Sequence, residues 1–407
     1  MMSANPAKTP RHKPAPVIIL TGGGSGGHIT PLLSLAHELK AQRPSCKIIY
    51  IGLKGEKVEG LQNQYQVFDQ VYHIAAGKFR RYYGQSFLAH LGDVKTQALN
   101  SRDFFRVIKG LHSAEKIVKA VKPDVVFSKG GYVAVPVGLA AKLNAVPIVT
   151  HDSDSVPGLA NRLAGRWAVV HATGMPVEYY NYGRSKTVYT GVPVDKRVRP
   201  LSTSLQRSYK KKLGIPADSL VLLAAGGGQG AQQINDLMLA AAPKLLAQFP
   251  KLYILHFAGI KLAGQMGVER VRELYHRLLS DSKRVQVLDF SGEFYKYSGA
   301  ADLIITRAGA TVMSEFAVQG KACIVIPSAV LAGGHQLKNS QVLAAQKAAV
   351  VLPADVTAGR LLKLTSNLLK SPAKRKLLAK NLGSTAQPQA ARKLAALIIE
   401  VAEKSLP

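Results

Sequence analysis

The chain has 407 residues, with 54 Lys and Arg against 24 Asp and Glu and a formal net charge of +30. That length is too great for one ordinary core, so two domains are expected, and a hydrophobic fraction of 47% is that of a folded globular protein. Cys46 and Cys323 are the only cysteines, each beside an apolar run, which excludes a disulfide scaffold and reads as two buried thiols in a reducing cytosol. No Cys/His spacing suggests a zinc site. The positive charge favours acidic partners: anionic lipid surfaces, nucleic acid or phosphorylated substrates.

The N-terminal tail is basic and Pro-rich, without the apolar region of a signal peptide. No later apolar run is long enough to span a bilayer. A soluble or peripheral protein on the cytoplasmic side is expected. The first ordered element is a β-branched strand, Val17–Thr21, which stops at a glycine cluster ending in Gly26-Gly27-His28. A helical pattern follows over Pro31–Gln42, with Pro31 expected at the first helical position. Strand end, glycine turn and helix start fall within a few residues. That arrangement aims backbone N–H groups and the positive end of a helix dipole at an anion such as phosphate. His28 stands at or near this helix start, where the dipole disfavours the imidazolium and keeps the ring fit to accept a proton.

Further strands are expected at Lys47–Ile51, Asp124–Phe127, Pro147–Thr150, Ala168–Ala172 and Thr187–Thr190, alternating with helical patterns. Such alternation implies a parallel sheet covered on both faces. The stretch Gly77-Lys78-Phe79-Arg80-Arg81-Tyr82-Tyr83, with Phe87-Leu88 and Phe104-Phe105-Arg106, interleaves cationic and aromatic residues. It suits a membrane interface; the alternative is a helix pair with its aromatics in the core. A second glycine turn, Ser128-Lys129-Gly130-Gly131-Tyr132, follows the strand ending at Phe127 and reaches the same carboxyl edge. Two anion-friendly turns on one rim suggest a diphosphate-bearing acceptor. Gly191–Pro200 reads as a linker.

The second half repeats the scheme. Strands are expected at Leu220–Ala225, Leu252–Phe257, Val285–Leu288, Leu303–Thr306, Cys323–Pro327 and Val350–Leu352. Gly226–Ala231 is another glycine turn, and the helix after it should bury Ile234, Leu237, Met238, Ala241 and Leu245. In Thr306–Glu315, Arg307 suits a phosphate or a base, Thr311 and Ser314 can donate hydroxyls to phosphate, and Glu315 can accept from both hydroxyls of a ribose. Gln336 and Asn339 open another helix, as sugar-reading amides or as caps. Pro388–Lys404 is a final amphipathic helix.

Gly22, Gly24 and Gly27 satisfy GxGxxG, but the expected acid at the end of the next strand is missing from Tyr50-Ile51-Gly52-Leu53-Lys54, so the dinucleotide reading is weak. No Lys-Ser/Thr pair follows either turn, which excludes a P-loop. Asp152-Ser153-Asp154 spells DxD, a spacing that suits Mg²⁺.

Five motifs in chain order resemble the MurG family: Gly23–His28 its GGTGGH loop, Gly130–Pro136 its GGYVSGP loop, and Gly226–Ala231 its GGSQGA loop. Arg307–Glu315 resembles RSGALTVSE, and Gln336–Ser340 resembles QxxNA. The resemblance implies an α/β GT-B fold, two Rossmann-like domains whose parallel sheets face a central cleft. It implies a tail at 1–15, an acceptor and membrane domain at 16–193, a UDP-sugar domain at 194–385, and a helix at 386–407 crossing back to the first domain. The implied activity is inverting transfer of N-acetylglucosamine from its UDP derivative to the C4 hydroxyl of undecaprenyl-pyrophosphoryl-MurNAc-pentapeptide (lipid I), giving lipid II for peptidoglycan.

Implied donor contacts are Ser25, Gly26, Gly27, Asp154, Gly228, Gln229, Ser291, Arg307, Ala310, Thr311, Val312, Met313, Ser314, Glu315 and Gln336. Gly24, Gly130, Gly131 and Tyr132 face the acceptor pyrophosphate, Lys78–Tyr83 the anionic inner-membrane surface, and His28 is the base. No metal, no cofactor and no nucleic acid are expected. The chain departs from the family at Asp154 (Asn in the family), Asp195 (Arg, with Arg197 a substitute), Gly228 (Ser) and Gly333 (acidic). The rival readings are another GT-B lipid glycosyltransferase, a UDP-sugar 2-epimerase, and a non-catalytic basic lipid-binding protein.

Overall fold

The computed structural model of the protein describes residues 15–23, 26–55, 66–77, 94–227, 230–259, 267–279, 282–328 and 334–404, the side chains of 26–28, 94–96 and 98 excepted. Its first half runs β1 (Val17–Thr21), α1 (Gly26–Gln42), β2 (Lys47–Leu53), β3 (Gln70–Ile74), α2 (Val94–Val121), β4 (Val125–Ser128), α3 (Ala134–Leu143), β5 (Ile148–Asp152), α4 (Leu159–Ala164), β6 (Val170–Thr173) and β7 (Thr187–Tyr189). The second half runs α5 (Thr203–Lys212), β8 (Leu220–Ala225), α6 (Gln232–Gln248), β9 (Leu252–Phe257), α7 (Val268–Leu278), β10 (Val285–Leu288), α8 (Phe294–Ala300), β11 (Leu303–Thr306) and α9 (Ala310–Gln319). It continues with β12 (Cys323–Val325), α10 (His335–Ala345), β13 (Val350–Val351), α11 (Ala358–Lys370), α12 (Pro372–Gly383) and α13 (Ala390–Lys404).

The strands form two separate parallel sheets, ordered β3-β2-β1-β4-β5-β6-β7 and β10-β9-β8-β11-β12-β13. Each starts at a central strand, winds outward one way, returns and winds the other. The order reverses between β1 and β4 in the first sheet and between β8 and β11 in the second. The near-continuous apolar runs of the central strands follow from burial on both faces. In β1, Ile18 and Leu20 join α1 in one core, while Ile19 joins α2 and α3 in another. In β8, Leu222 and Ala224 pack with α6, and Val221 and Leu223 with α9. All five residues expected to bury on α6 do so, and both cysteines are buried and free.

One expectation is corrected and one strand is added. Helix α1 begins at Gly26, so its first turn is made by the glycines and His28, and Pro31 lies inside the helix rather than at its start. Strand β3 went unread because QVYHI is an edge strand of mixed polarity, with Val71 39% exposed. Along the linker, Val192 and Val198 are buried. The last helix packs far from its neighbours in sequence, with Leu394, Ala395, Ile398 and Ala402 in the core built by β1 and α1.

Candidate active site

In an open α/β sheet, ligands bind outside the carboxyl ends of the strands where the strand order reverses, because adjacent loops there diverge and leave a crevice. The turns after β1 and β4 flank that point in the first sheet, and those after β8 and β11 flank it in the second. All four glycine-bearing turns singled out by the sequence therefore lie at the two switch points.

In the first domain the two turns touch. A Cβ on Gly131 would sit 2.4 Å from the carbonyl oxygen of Gly23. The turn after β4 is held from below by a set of buried side chains. Ser128 Oγ donates to Asn161 Oδ1 (2.9 Å) and accepts from the Gly130 N–H (3.3 Å). Asn161 Nδ2 donates to Asp152 Oδ1 (3.0 Å) and to the His151 carbonyl (2.8 Å). Asp152 also accepts from the Gly158 N–H and, at Oδ2, from the Tyr182 hydroxyl (2.9 Å). Its carboxylate is thus a buried hub of the protein's own hydrogen bonds, which displaces the DxD chelate reading. Lys129 is buried beneath the same turn and donates to Ser153 Oγ. Burial pulls its amine down to about 8, against the opposing charges of Asp152 and Asp154. His151 is fully buried with one ring nitrogen on the Gly191 carbonyl.

In the second domain the helices that follow the central strands start without a side-chain cap. This holds for α6 (after Ala231), α9 (after Gly309) and α10 (after Gly334). Helices α5, α11 and α12 are closed by the hydroxyls of Ser202, Thr357 and Ser371. The positive end of the helix dipole at such a start favours negative charge. Ala310, Thr311, Val312 and Met313 form the first turn of α9. Arg307 Nη1 is held by the Ile326 carbonyl and Gln233 Oε1, both at 3.0 Å, which fixes the guanidinium at the start of that turn. Burial lowers its pKa. Ser314 Oγ donates to the Ala310 carbonyl (2.9 Å), so its proton is used within the helix instead of reaching outward. Gln336 Oε1 accepts from the Ser328 N–H (3.0 Å), and Ser291 Oγ accepts from the Glu293 N–H (3.1 Å).

Burial, reinforced by the charge of Asp195, pushes the Glu315 carboxyl up to about 8. The resemblance places Glu315 on a ribose; a carboxylate accepts from ribose hydroxyls best when ionised, so on that assignment nucleotide binding should expel this proton. UDP affinity should then rise with pH up to about 8, by at most about tenfold per unit. Calorimetry in buffers of different ionisation heat checks the proton release. Glu315→Gln should flatten the profile, and an unchanged profile removes Glu315 from the nucleotide site.

Asp195 is paired locally. Arg197 grips both Asp195 oxygens (3.0 and 2.7 Å), donates to the Gly292 carbonyl (3.3 Å), and stacks over Tyr295 at 5.0 Å. A cation therefore stands two residues from the family's arginine position and ties the linker to the second domain. Asp154, expected at the donor, accepts from Asn339 Nδ2 at 2.7 Å. Phe104 and Phe105 are 53% and 70% exposed on α2, against the alternative that placed them in the core. Ser25, Gly24, Gly228, Gln229, Gly333 and Lys78–Tyr83 lie outside the described residues, as do the side chains of Gly26, Gly27 and His28.

Comparison with known proteins agrees with this layout. Residues 18–172 match the glycosyltransferase family 28 N-terminal domain, and residues 221–396 match its C-terminal domain. The UDP-N-acetylglucosamine–N-acetylmuramyl-(pentapeptide) pyrophosphoryl-undecaprenol N-acetylglucosamine transferase of Desulfitobacterium hafniense (strain Y51) is 32% identical, over 95% of this chain and 100% of that protein. The chain belongs to the MurG family. The like-named transferase of Geobacter sp. (strain M21) is 30% identical over 94% of this chain and 95% of its own length. Acinetobacter baumannii MurG superposes with a TM-score of 0.68 at 26% identity, covering 95% of this chain and all of that one. This MurG-family chain is therefore a GT-B glycosyltransferase of two Rossmann-like domains. A UDP-GlcNAc 2-epimerase from Neisseria meningitidis, bound to UDP-GlcNAc, superposes with a TM-score of 0.66 at 13% identity and shares the fold alone.

Proposed function

We propose that the protein transfers N-acetylglucosamine from UDP-GlcNAc to the C4 hydroxyl of undecaprenyl-pyrophosphoryl-MurNAc-pentapeptide, with inversion. The observation that carries this reading is the end-to-end match to transferases of that name, on a chain whose glycine turns lie at both switch points. We assign residues 16–193 to the acceptor and membrane, 194–385 to the UDP-sugar, and 386–407 to the helix that returns to the first domain.

The acceptor hydroxyl attacks the anomeric carbon as UDP departs, and His28 takes the hydroxyl proton. Charge growing on the departing diphosphate meets the uncapped start of α9 and the Arg307 guanidinium, dipoles and charge already in place before reaction. Glu315 holds the ribose, and Gln336 and Ser291 lie at the donor positions of the family. Gly24, Gly130, Gly131 and Tyr132 face the acceptor pyrophosphate. The reading uses no metal. The test is a radiolabelled UDP-GlcNAc assay with lipid I, with plain polyprenyl phosphate, and with no acceptor. Label should enter lipid I alone; sugar interconversion without acceptor would favour the epimerase reading.

Among the described residues no helix is long and apolar enough to cross a membrane. The acceptor is lipid-linked, and α2 exposes Phe104, Phe105 and Ile108 beside the half-exposed Arg102 and Arg106. We assign this face, with Lys78–Tyr83, to the anionic cytoplasmic surface of the cell membrane. Replacing Phe104 and Phe105 together by Ser should weaken binding to phosphatidylglycerol vesicles by about tenfold or more, from lost apolar burial. Turnover of a soluble acceptor should stay unchanged. Equal vesicle binding by the double variant removes this face from the membrane site.

A further inference from the structure

Asn339 is 1% exposed, and its carboxamide is fully engaged. Oδ1 accepts from the Ser155 N–H and from Ser155 Oγ, both at 2.9 Å. Nδ2 donates to Asp154 Oδ1 at 2.7 Å and to the Ala308 carbonyl at 2.9 Å. A primary amide has two donors and two good acceptor directions, so this group has no hydrogen-bonding capacity left for a sugar. Three of its four bonds leave its own domain. The fourth reaches Ala308, which follows Arg307 in the turn that leads into α9.

Residues 151–155 are clamped from the other side as well. Asp152 and the His151 carbonyl hold Asn161, Asn161 holds Ser128, and Ser128 holds the Gly130 N–H. Lys129 holds Ser153. A continuous set of buried polar bonds thus runs from the acceptor turn, through residues 151–155, to Asn339 and the donor turn. It crosses between domains without following the chain. One of its members, Asp154, is a carboxylate where the family carries an amide, which makes the Asn339 bond charge-assisted.

We propose that Asn339 is a positioning residue: it latches residues 151–155 to the donor turn and so sets the register of the acceptor turn against the sugar to be transferred. It touches neither substrate. The kinetic consequence rests on the transferase reading; the latch itself does not.

The experiment compares full-length wild type, Asn339→Ala and the milder Ser155→Ala, which keeps the backbone donor and serves if the first variant does not fold. Amide exchange in a peptide spanning 151–158 should quicken in both variants, because the Ser155 N–H or its neighbour loses its acceptor or partner. Turnover should fall by about 10- to 100-fold in Asn339→Ala, the cost of small misplacement of reacting groups. UDP affinity by calorimetry should change less than threefold on this order-of-magnitude reading. Asn339→Asp sets two carboxylates against each other, and adding Asp154→Asn returns a donor to the pair and should restore part of the lost turnover. Unchanged exchange, a loss of UDP affinity in step with turnover, or no rescue in the double variant would each overturn the latch. If wild type itself moves no sugar to lipid I, the transferase reading fails, and the exchange measurement alone decides the latch.

Discussion

Replacing His28 with Ala should lower turnover by about 10²- to 10⁴-fold, the usual contribution of a positioned general base. Residue 28 lies in the first turn of α1, directly after β1 and beside the first switch point. The backbone of residue 28 stands in the first turn of that helix, at the positive end of its dipole. The groups assigned to the nucleotide, Arg307, Glu315 and the start of α9, belong to the other sheet. UDP affinity should therefore stay close to that of wild type while turnover collapses. Wild-type turnover should fall on the acid side as the base becomes protonated, and the variant should lose that limb. Turnover within a few-fold of wild type would exclude His28 as the base.

Gly131→Ala should lower both stability and acceptor use. Gly131 has φ +83°, a conformation that L side chains rarely adopt, and the strain costs about 1–3 kcal/mol by itself. The added Cβ would also meet the Gly23 carbonyl at 2.4 Å, and that oxygen belongs to backbone that cannot swing aside like a side chain. The turns after β1 and β4 must then separate. Both form the proposed pyrophosphate rim, so acceptor use should fall together with stability. Thermal unfolding gives the first effect, and KM for lipid I at saturating UDP-GlcNAc the second. Gly55→Ala is the control: it has φ +80° but open space around the Cβ position. It should show the conformational cost without the loss of acceptor use, and matching losses in both variants would reduce the Gly131 effect to backbone strain.

The fold was legible because two local signals coincide. Apolar runs of strand length alternate with helical periodicity, and each central strand ends in a glycine turn. Twelve of the thirteen strands follow from that pattern; β3 escapes because an edge strand has one neighbour and tolerates mixed polarity. Pro31 misled for a local reason. Proline at a helix start is the common case, and the glycines before it gave no reason to begin the helix sooner. The candidate site was legible in its turns but not in its supports. Asn161, Tyr182 and Lys129 carry no spacing motif, since each acts on residues distant in sequence. Asn339 was visible as an amide at a helix start, yet its partners lie 184 and 185 residues away.

The sequence by itself determined which segments are strands, which turns present N–H groups to an anion, and which family the motifs resemble. Those properties are local: they depend on side-chain branching, on glycine, and on residues a few positions apart. Strand order, and therefore the placing of all four turns at switch points, was decided only by the tertiary structure. So were the contact between Gly131 and Gly23, the return of α13 to the first core, and the fate of the departures at Asp154 and Asp195. The physical reason is common to them all. A buried hydrogen bond or a close backbone approach is set by groups brought together by folding, and the chain carries no nearby record of its partner.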